Sequence, residues 1–373
     1  MKIFYLDLDP LKFNSRAKKI LISSNNRGID TQFIGCSKDK FKFDNGIKVK
    51  EFSFYANFPL KLRIIFFWIT TTLFMIKEIL KEGKPKYIYS NDIYPMLPAY
   101  TIKLIFNIDI IYDSHEYWRG HSALKKDSLS YKFWIGYESF LIKKFDEVIT
   151  VGKEIAKLLK SDHSLKKLPH IIPNIPDTKI KDLRSDYIRE RYSLSRDTFI
   201  FIYQGSLYKG DSFDKIIGAV ENIENCALVV VSHKMERIDE YKRKYKHILE
   251  KKIFFHEGVD LDSLAKITSS ANCGLTIFEN LGESFYYSVP NKMFEYLASS
   301  IPQVVSNFPE IERYVVKNGI GVSVDPHNEK EIFTTLLKIS TDKGFYNRLK
   351  ERSFDMRDSF KWENYFDKVF DNF

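Results

Sequence analysis

Residues 286–307, YYSVPNKMFEYLASSIPQVVSN, decide how this chain is read. Pro290 stops any preceding helix, and Asn291 to Ala298 then carries an amphipathic helical pattern with Met293, Phe294 and Leu297 on its apolar side. The amides of Asn291, Lys292 and Met293 begin that helix, where N–H groups lack intrahelical partners and the dipole favours an anion. Lys292 adds a full positive charge beside them, so a phosphate fits there. Glu295, one turn further on, points back along the same face and suits the hydroxyls of a ribose. The run PQVVSN that follows reads as a buried strand, which makes the segment a helix-to-strand step of a parallel sheet.

Outward from this segment the same alternation repeats. Strands are predicted over Lys2 to Asp7, Thr31 to Cys36, Tyr87 to Ser90, Ile108 to Asp113, Glu147 to Val151 and His170 to Pro173, with helices near 15–27, 60–81, 128–145 and 152–160. A second series restarts at Thr198, with strands over Phe199 to Tyr203, Ala227 to Val231, Ile253 to His256, Gly274 to Phe278 and Gln303 to Ser306. Between them HIIPNIPDTKIKD (170–182), with two prolines and a central Asn, reads as a linker. A chain of 373 residues exceeds one hydrophobic core and is expected to form two domains. Cys36, Cys226 and Cys273 stand far apart in apolar runs and show neither a metal spacing nor a disulfide framework, as expected of core residues in a reducing cytosol.

The P-N-K-x-F-E-Y segment resembles the donor-binding signature of the GT-B glycosyltransferases, in particular the retaining family-four branch (glycosyl transferases group 1). The linker is similar to the P-N-x-x-D crossover of that fold. The resemblance implies an α/β GT-B architecture of two Rossmann-like doubly wound domains facing a central cleft. Residues 1–174 would be the acceptor-side domain and 175–355 the nucleotide-sugar domain, with 356–373, including FKWENYFDKVFDNF, as a helix packing back on the first. It also implies an enzyme that moves a sugar from a UDP-, GDP- or ADP-sugar to a hydroxyl with retention, in polysaccharide, oligosaccharide or glycolipid synthesis. Neither metal nor other cofactor is expected, and nucleic acid is not an expected partner. A sugar-nucleotide epimerase or hydrolase of the same architecture, or a catalytically silent GT-B binding partner, stays open as an alternative.

Family members bracket the nucleotide sugar with a Glu, seven intervening residues and a second Glu. Here the second is Glu295, and the first position is Tyr287, whose phenol can hydrogen-bond a sugar but brings no negative charge. The loop YQGSLYKGDS (203–212) follows the first strand of the second series. Gly205 lets backbone approach a diphosphate there, Ser206 and Asp211 stand where relatives usually carry arginine, and Lys209 is left to neutralise the phosphates.

In open α/β sheets ligands gather beyond the carboxyl ends of the strands, which directs attention to YDSHEYWRG (112–120). It resembles the family's D-x-H-[DE] segment. His115 is, with Tyr287, an expected catalytic residue, Asp113 or Glu116 fixing its tautomer, and Trp118 and Arg119 are expected along an acceptor groove. In DLDPLKFNSRAKK (7–19), Ser15 reads as the helix cap and Arg16 as a reach toward the acceptor phosphate or donor. Asp7 and Asp9 have the spacing of a metal-holding D-x-D, but Asp7 alternates within a predicted strand, and lysine with helix-dipole neutralisation removes the need for metal. Loops near His233 and Glu257 are expected around the base.

Charge is uneven. The whole chain is +9, yet residues 1–180 hold 30 Lys plus Arg against 19 Asp plus Glu, a balance of +11, and the remainder holds 28 against 30, or −2. A basic amino half suits anionic lipid head groups or a lipid-linked diphosphate acceptor. MKIFYLDLD lacks the apolar core of a signal peptide, and the run Ile64 to Ile76 is well short of the ~20 residues that span a bilayer. Its basic flanks Lys61, Arg63 and Lys77 suit either a buried helix or one lying at a membrane surface. The expected location is the cytoplasm, with peripheral contact at the inner face of the membrane.

Overall fold

Runs such as KIFYL (2–6) and FIFIYQ (199–204) lack polar alternation, the pattern of strands covered on both faces. The computed structural model describes residues 2–39, 43, 46–122, 124–176, 185–205, 207, 212–233 and 235–371, and in it these runs form the middle of two parallel sheets. The chain divides into one unit of Met1–Asn174 with Trp362–Phe373 and another of Ile175–Lys361.

In the first unit the strands are β1 (Lys2–Leu6), β2 (Asp30–Cys36), β3 (Lys48–Phe52), β4 (Tyr87–Asn91), β5 (Asp109–Ser114), β6 (Glu147–Thr150) and β7 (His170–Ile171). They pair in parallel in the order β3-β2-β1-β4-β5-β6-β7. The second unit holds β8 (Phe199–Gln204), β9 (Cys226–Ser232), β10 (Ile253–Glu257), β11 (Cys273–Thr276), β12 (Gln303–Ser306) and β13 (Gly321–Val324), parallel in the order β10-β9-β8-β11-β12-β13. Strand order reverses between β1 and β4 and again between β8 and β11, and such reversals open a crevice at the carboxyl ends of the strands.

Several elements escaped the sequence pattern, among them two strands, a helix of the first unit, and the helices Glu329–Thr341 and Lys343–Met356. KVKEF of β3 is a half-exposed edge strand whose lysines hide its apolar side, and β13 is only four residues long. The helix Met96–Phe106 contains Pro98, which the first turn tolerates because its missing N–H has no partner to lose there.

The terminal return begins at Trp362, later than residue 356, since the helix Lys343–Met356 stays in the second unit. Trp362, Phe366 and Phe370 enter the same core cluster as Tyr5, Tyr89 and Ile149, and the Trp362 indole donates to Ser23 Oγ at 2.9 Å. Cys36, Cys226 and Cys273 are buried free thiols.

Candidate active site

The helix predicted from PNKMFEYLA forms over Asn291–Ala298 and is seated by Tyr296. That ring lies against Gly274 of β11, where a Cβ would come within 2.3 Å of Tyr296 Cδ2. Its hydroxyl accepts the Gln204 N–H at 3.2 Å and lies 3.2 Å from the Leu275 carbonyl oxygen. Tyr296 thus ties the helix to β8 and β11 at their reversal, with Lys292 beside Gly205 and Glu295 beside Gln204.

The Lys292 ammonium lies 4.1 Å from the centroid of the Tyr203 ring, and a Cβ on Gly205 would be 3.6 Å from Lys292 Nζ. Gly205 has φ +113°, a conformation side chains resist, and its N–H donates to Val231 O at 3.0 Å. Space does not demand glycine here; the backbone angle does. Of the three amides expected at the helix start, that of Met293 turns back to Pro290 O at 3.3 Å. Ser206, Lys209 and Asp211 lie outside the described residues.

Gln204 Nε2 donates to Glu295 Oε2, and Gln204 Oε1 accepts from Thr268 Oγ1 at 2.9 Å. This relay orients the Glu295 carboxylate, and sequence reasoning missed Gln204. The available signal was a polar residue closing an otherwise apolar strand, FIFIYQ. Tyr287 caps the short helix Glu283–Tyr286, half-buried, its ring edge-on to Tyr286 at 4.9 Å. His233 after β9 packs over Gly258 after β10, where a Cβ would fall 2.1 Å from its ring, so these two loops meet.

In the first unit Asp113, next to last in β5, is fully buried. Arg16 grips it twice, Nε to Oδ2 at 2.7 Å and Nη2 to Oδ1 at 2.9 Å, while its Nη1 donates to Ile172 O at 2.7 Å and Asn174 Oδ1 at 3.0 Å. Tyr89 also donates to Oδ2. Burial alone would raise the Asp113 carboxyl, but Arg16 and His115 outweigh it and hold it well below the usual carboxylate range. Arg16, expected to reach outward to acceptor or donor, is instead a buried clamp on Asp113. The helix cap is Asn14, whose side chain accepts from Ala17 N, rather than Ser15. Asp7 is likewise enclosed, accepting from Asp9 N at 2.9 Å and Asn91 Nδ2 at 2.6 Å.

His115 Nε2 lies 3.2 Å from Asp113 Oδ2, so Asp113 is the carboxylate on the ring; Glu116 is exposed. Trp118 does not offer a sugar platform: it is buried, its indole donating to Asp92 Oδ1 at 2.7 Å. Arg119 packs sideways, Nε 3.6 Å from Asp162 Oδ2, and its backbone carbonyl accepts from Tyr131 OH. An indole N–H taken into the interior needs an acceptor, and the nearest carboxylate draws Trp118 inward.

That carboxylate was not anticipated from sequence. Asp92 follows β4 at the β1–β4 reversal with φ +65°, its N–H on Asp113 O at 2.8 Å. Burial pushes its carboxyl up to about 6, against the opposing pull of His115 and the Trp118 indole. In the unfolded chain an Asp releases its proton near ~3.9, so the contribution of this one group is fully present below that pH and is lost as pH rises through 6. Asp92→Asn keeps the Oδ1 acceptor and tolerates positive φ. Thermal melting from pH 4 to 8 is expected to show Asp92→Asn gaining on wild type as pH rises to 6, with a constant gap above.

Residues 185–356 match the family model described as glycosyl transferases group 1, and residues 25–179 match that for glycosyltransferase family 4. No curated protein sequence matches the chain. Among solved structures, a sucrose-phosphate synthase from Thermosynechococcus elongatus superposes with a TM-score of 0.80 at 15% identity, over 100% of this chain and 98% of that one. Anabaena HepE, solved in complex with UDP-glucose, gives 0.75 at 13% over 100% and 99%. WaaG, a glycosyltransferase involved in lipopolysaccharide biosynthesis, gives 0.73 at 12% over 99% of each. These likenesses show the two-sheet GT-B fold, and the two family models between them cover both units. The chain therefore belongs to the group 1 glycosyltransferases of the GT-B fold and is an enzyme of that family.

Proposed function

We propose that this glycosyltransferase moves a sugar from a nucleoside-diphosphate sugar to a hydroxyl, with retention and without a divalent metal, on an acceptor carried at an anionic membrane surface during polysaccharide, oligosaccharide or glycolipid synthesis. The observation that carries the donor reading is the grouping of Lys292, Gly205 and Glu295 at the β8–β11 reversal. The UDP-glucose bound to Anabaena HepE, a relative in fold, supports the same ligand class. As the bond from C1 to the diphosphate oxygen breaks, negative charge grows on the leaving group. The Lys292 ammonium and the first-turn amides of its helix strengthen their hold there, with Gly205 beside them. Glu295, steadied by Gln204, takes the ribose hydroxyls, and Tyr287 meets sugar or phosphate through its phenol. In the first unit His115, held by Asp113, orients the acceptor hydroxyl, whose oxygen joins C1 as the bond to the diphosphate breaks and whose proton passes to the departing diphosphate oxygen.

The test is turnover with UDP-, GDP- and ADP-sugars in EDTA, with and without lipid-linked hydroxyl acceptors, reading nucleotide release and the anomeric configuration of the product. Acceptor-dependent release with retention is the expected outcome. Equal release without acceptor would make the protein an epimerase or hydrolase, and absence of nucleotide-diphosphate binding by calorimetry would make it a silent partner.

A further inference from the structure

Among the described residues, fifteen of the seventeen exposed large apolar side chains belong to the first unit. They are not scattered. The helix Leu60–Glu82 buries Ile64, Phe67, Thr71, Met75 and Ile79. Its opposite side nevertheless carries Leu62, Ile65, Ile69, Leu73 and Leu80, spaced three, four, four and seven apart as one stripe, with Leu73 62% and Leu80 75% exposed. A helix apolar on both sides has a second partner beyond its own core.

The stripe continues on neighbouring helices. Met96–Phe106 packs against Leu60–Glu82 and Leu129–Leu141, and Trp68 stacks on Tyr137 at 5.7 Å, tying the outer two together. Leu104 and Ile105 are exposed on the first of these, and Leu129, Phe133 and Phe140 form a stripe on Leu129–Leu141, with Leu129 86% exposed.

Charge selects the occupant. Lys61, Arg63, Lys77 and Lys81 flank the first stripe and Lys132, Lys143 and Lys144 the second. The first helix also carries Glu78 and Glu82, Glu82 lying 2.8 Å from Lys2 and 3.9 Å from Lys81, and Arg63 lies 4.0 Å from Asp9, which leaves basic charge in excess on this face. A second copy meeting this face by a twofold axis would set lysines against lysines. An anionic lipid surface offers both the apolar layer and the opposite charge. No helix among the described residues is long and apolar enough to cross a membrane, so the contact lies in the interface plane.

We infer that the three-helix face of Leu60–Glu82, Met96–Phe106 and Leu129–Leu141 docks on an anionic bilayer, its two apolar stripes entering the headgroup boundary. This rests on the membrane-borne acceptor proposed above only for its purpose, not for its chemistry. Full-length protein is to be sedimented with vesicles of phosphatidylglycerol in phosphatidylcholine and with phosphatidylcholine alone, and nucleoside-diphosphate binding measured on the same samples. Wild type is expected to bind the anionic vesicles, less at high salt, and the neutral ones weakly. Ile69→Glu with Leu73→Glu is expected to weaken vesicle binding about tenfold or more, with melting temperature and nucleotide binding unchanged. Leu129→Glu with Phe133→Glu, on a different helix, repeats the test should the first pair misfold. Wild type that ignores anionic vesicles, or either folded double variant that binds them as wild type does, overturns the inference. So does a wild-type dimer that the variants convert to monomer. Nucleotide binding that fails while vesicle binding holds removes the donor reading and leaves this one standing.

Discussion

Asp113→Ala is expected to destabilise the protein by about 3–5 kcal/mol, the usual result of removing one partner from a buried ion pair. The reason lies in what remains. Arg16 is 3% exposed, and its Nε and Nη2 both donate to Asp113, so alanine leaves a guanidinium enclosed without its counter-charge. Tyr89 and His115 lose the same acceptor. For a unit of this size such a loss lowers the melting temperature by roughly 10 °C. Urea unfolding monitored by circular dichroism measures it. The pair itself need not be a net gain, because two charges taken from water cost nearly what they return. Arg16→Met with Asp113→Leu is therefore expected to recover most of the stability while His115, without its carboxylate, no longer supports transfer. A loss below about 1 kcal/mol for Asp113→Ala would show that the clamp is not what holds the strand end.

Much of this arrangement was legible from residues alone, and the boundary of legibility has a physical basis. Strands buried on both faces announce themselves as unbroken apolar runs, which is why β1, β8 and β9 were readable and the polar edge strand β3 was not. The helix at Asn291 was readable because Pro290 and the apolar spacing are local signals. Side-chain partners are another matter. That Arg16 turns inward depends on Asp113, 97 residues away, and that Trp118 is buried depends on Asp92, 26 residues back. Sequence assigns Arg16 and Trp118 the work of exposed residues, because pairing across a sheet is decided by strand order. Gln204 is the same case in reverse: a plain strand end until Glu295 is brought above it.

Lys292→Met is expected to lower kcat/KM by about 10²–10³, the effect of removing one preorganised charge partner from a developing oxyanion. Methionine keeps the stem and deletes the charge. What it removes from the folded state is small: a cation–π contact with Tyr203 at 4.1 Å contributes about 0.5–1 kcal/mol at sites of this exposure. The catalytic loss corresponds to about 2.7–4 kcal/mol, so a melting temperature close to wild type beside a large kinetic defect separates the two roles. Calorimetry should locate the defect. Affinity for a nucleoside diphosphate is expected to fall and that for the bare nucleoside to stay constant, because only the former places charge at the helix start. Lys292→Arg is expected to recover part of the rate, since charge returns but the wider guanidinium must fit beside Gly205, whose Cβ position lies 3.6 Å from the present ammonium. If Lys292→Met turned over donor at the wild-type kcat/KM, the diphosphate would be neutralised elsewhere, and the assignment of the Asn291–Ala298 helix as its cradle would fail.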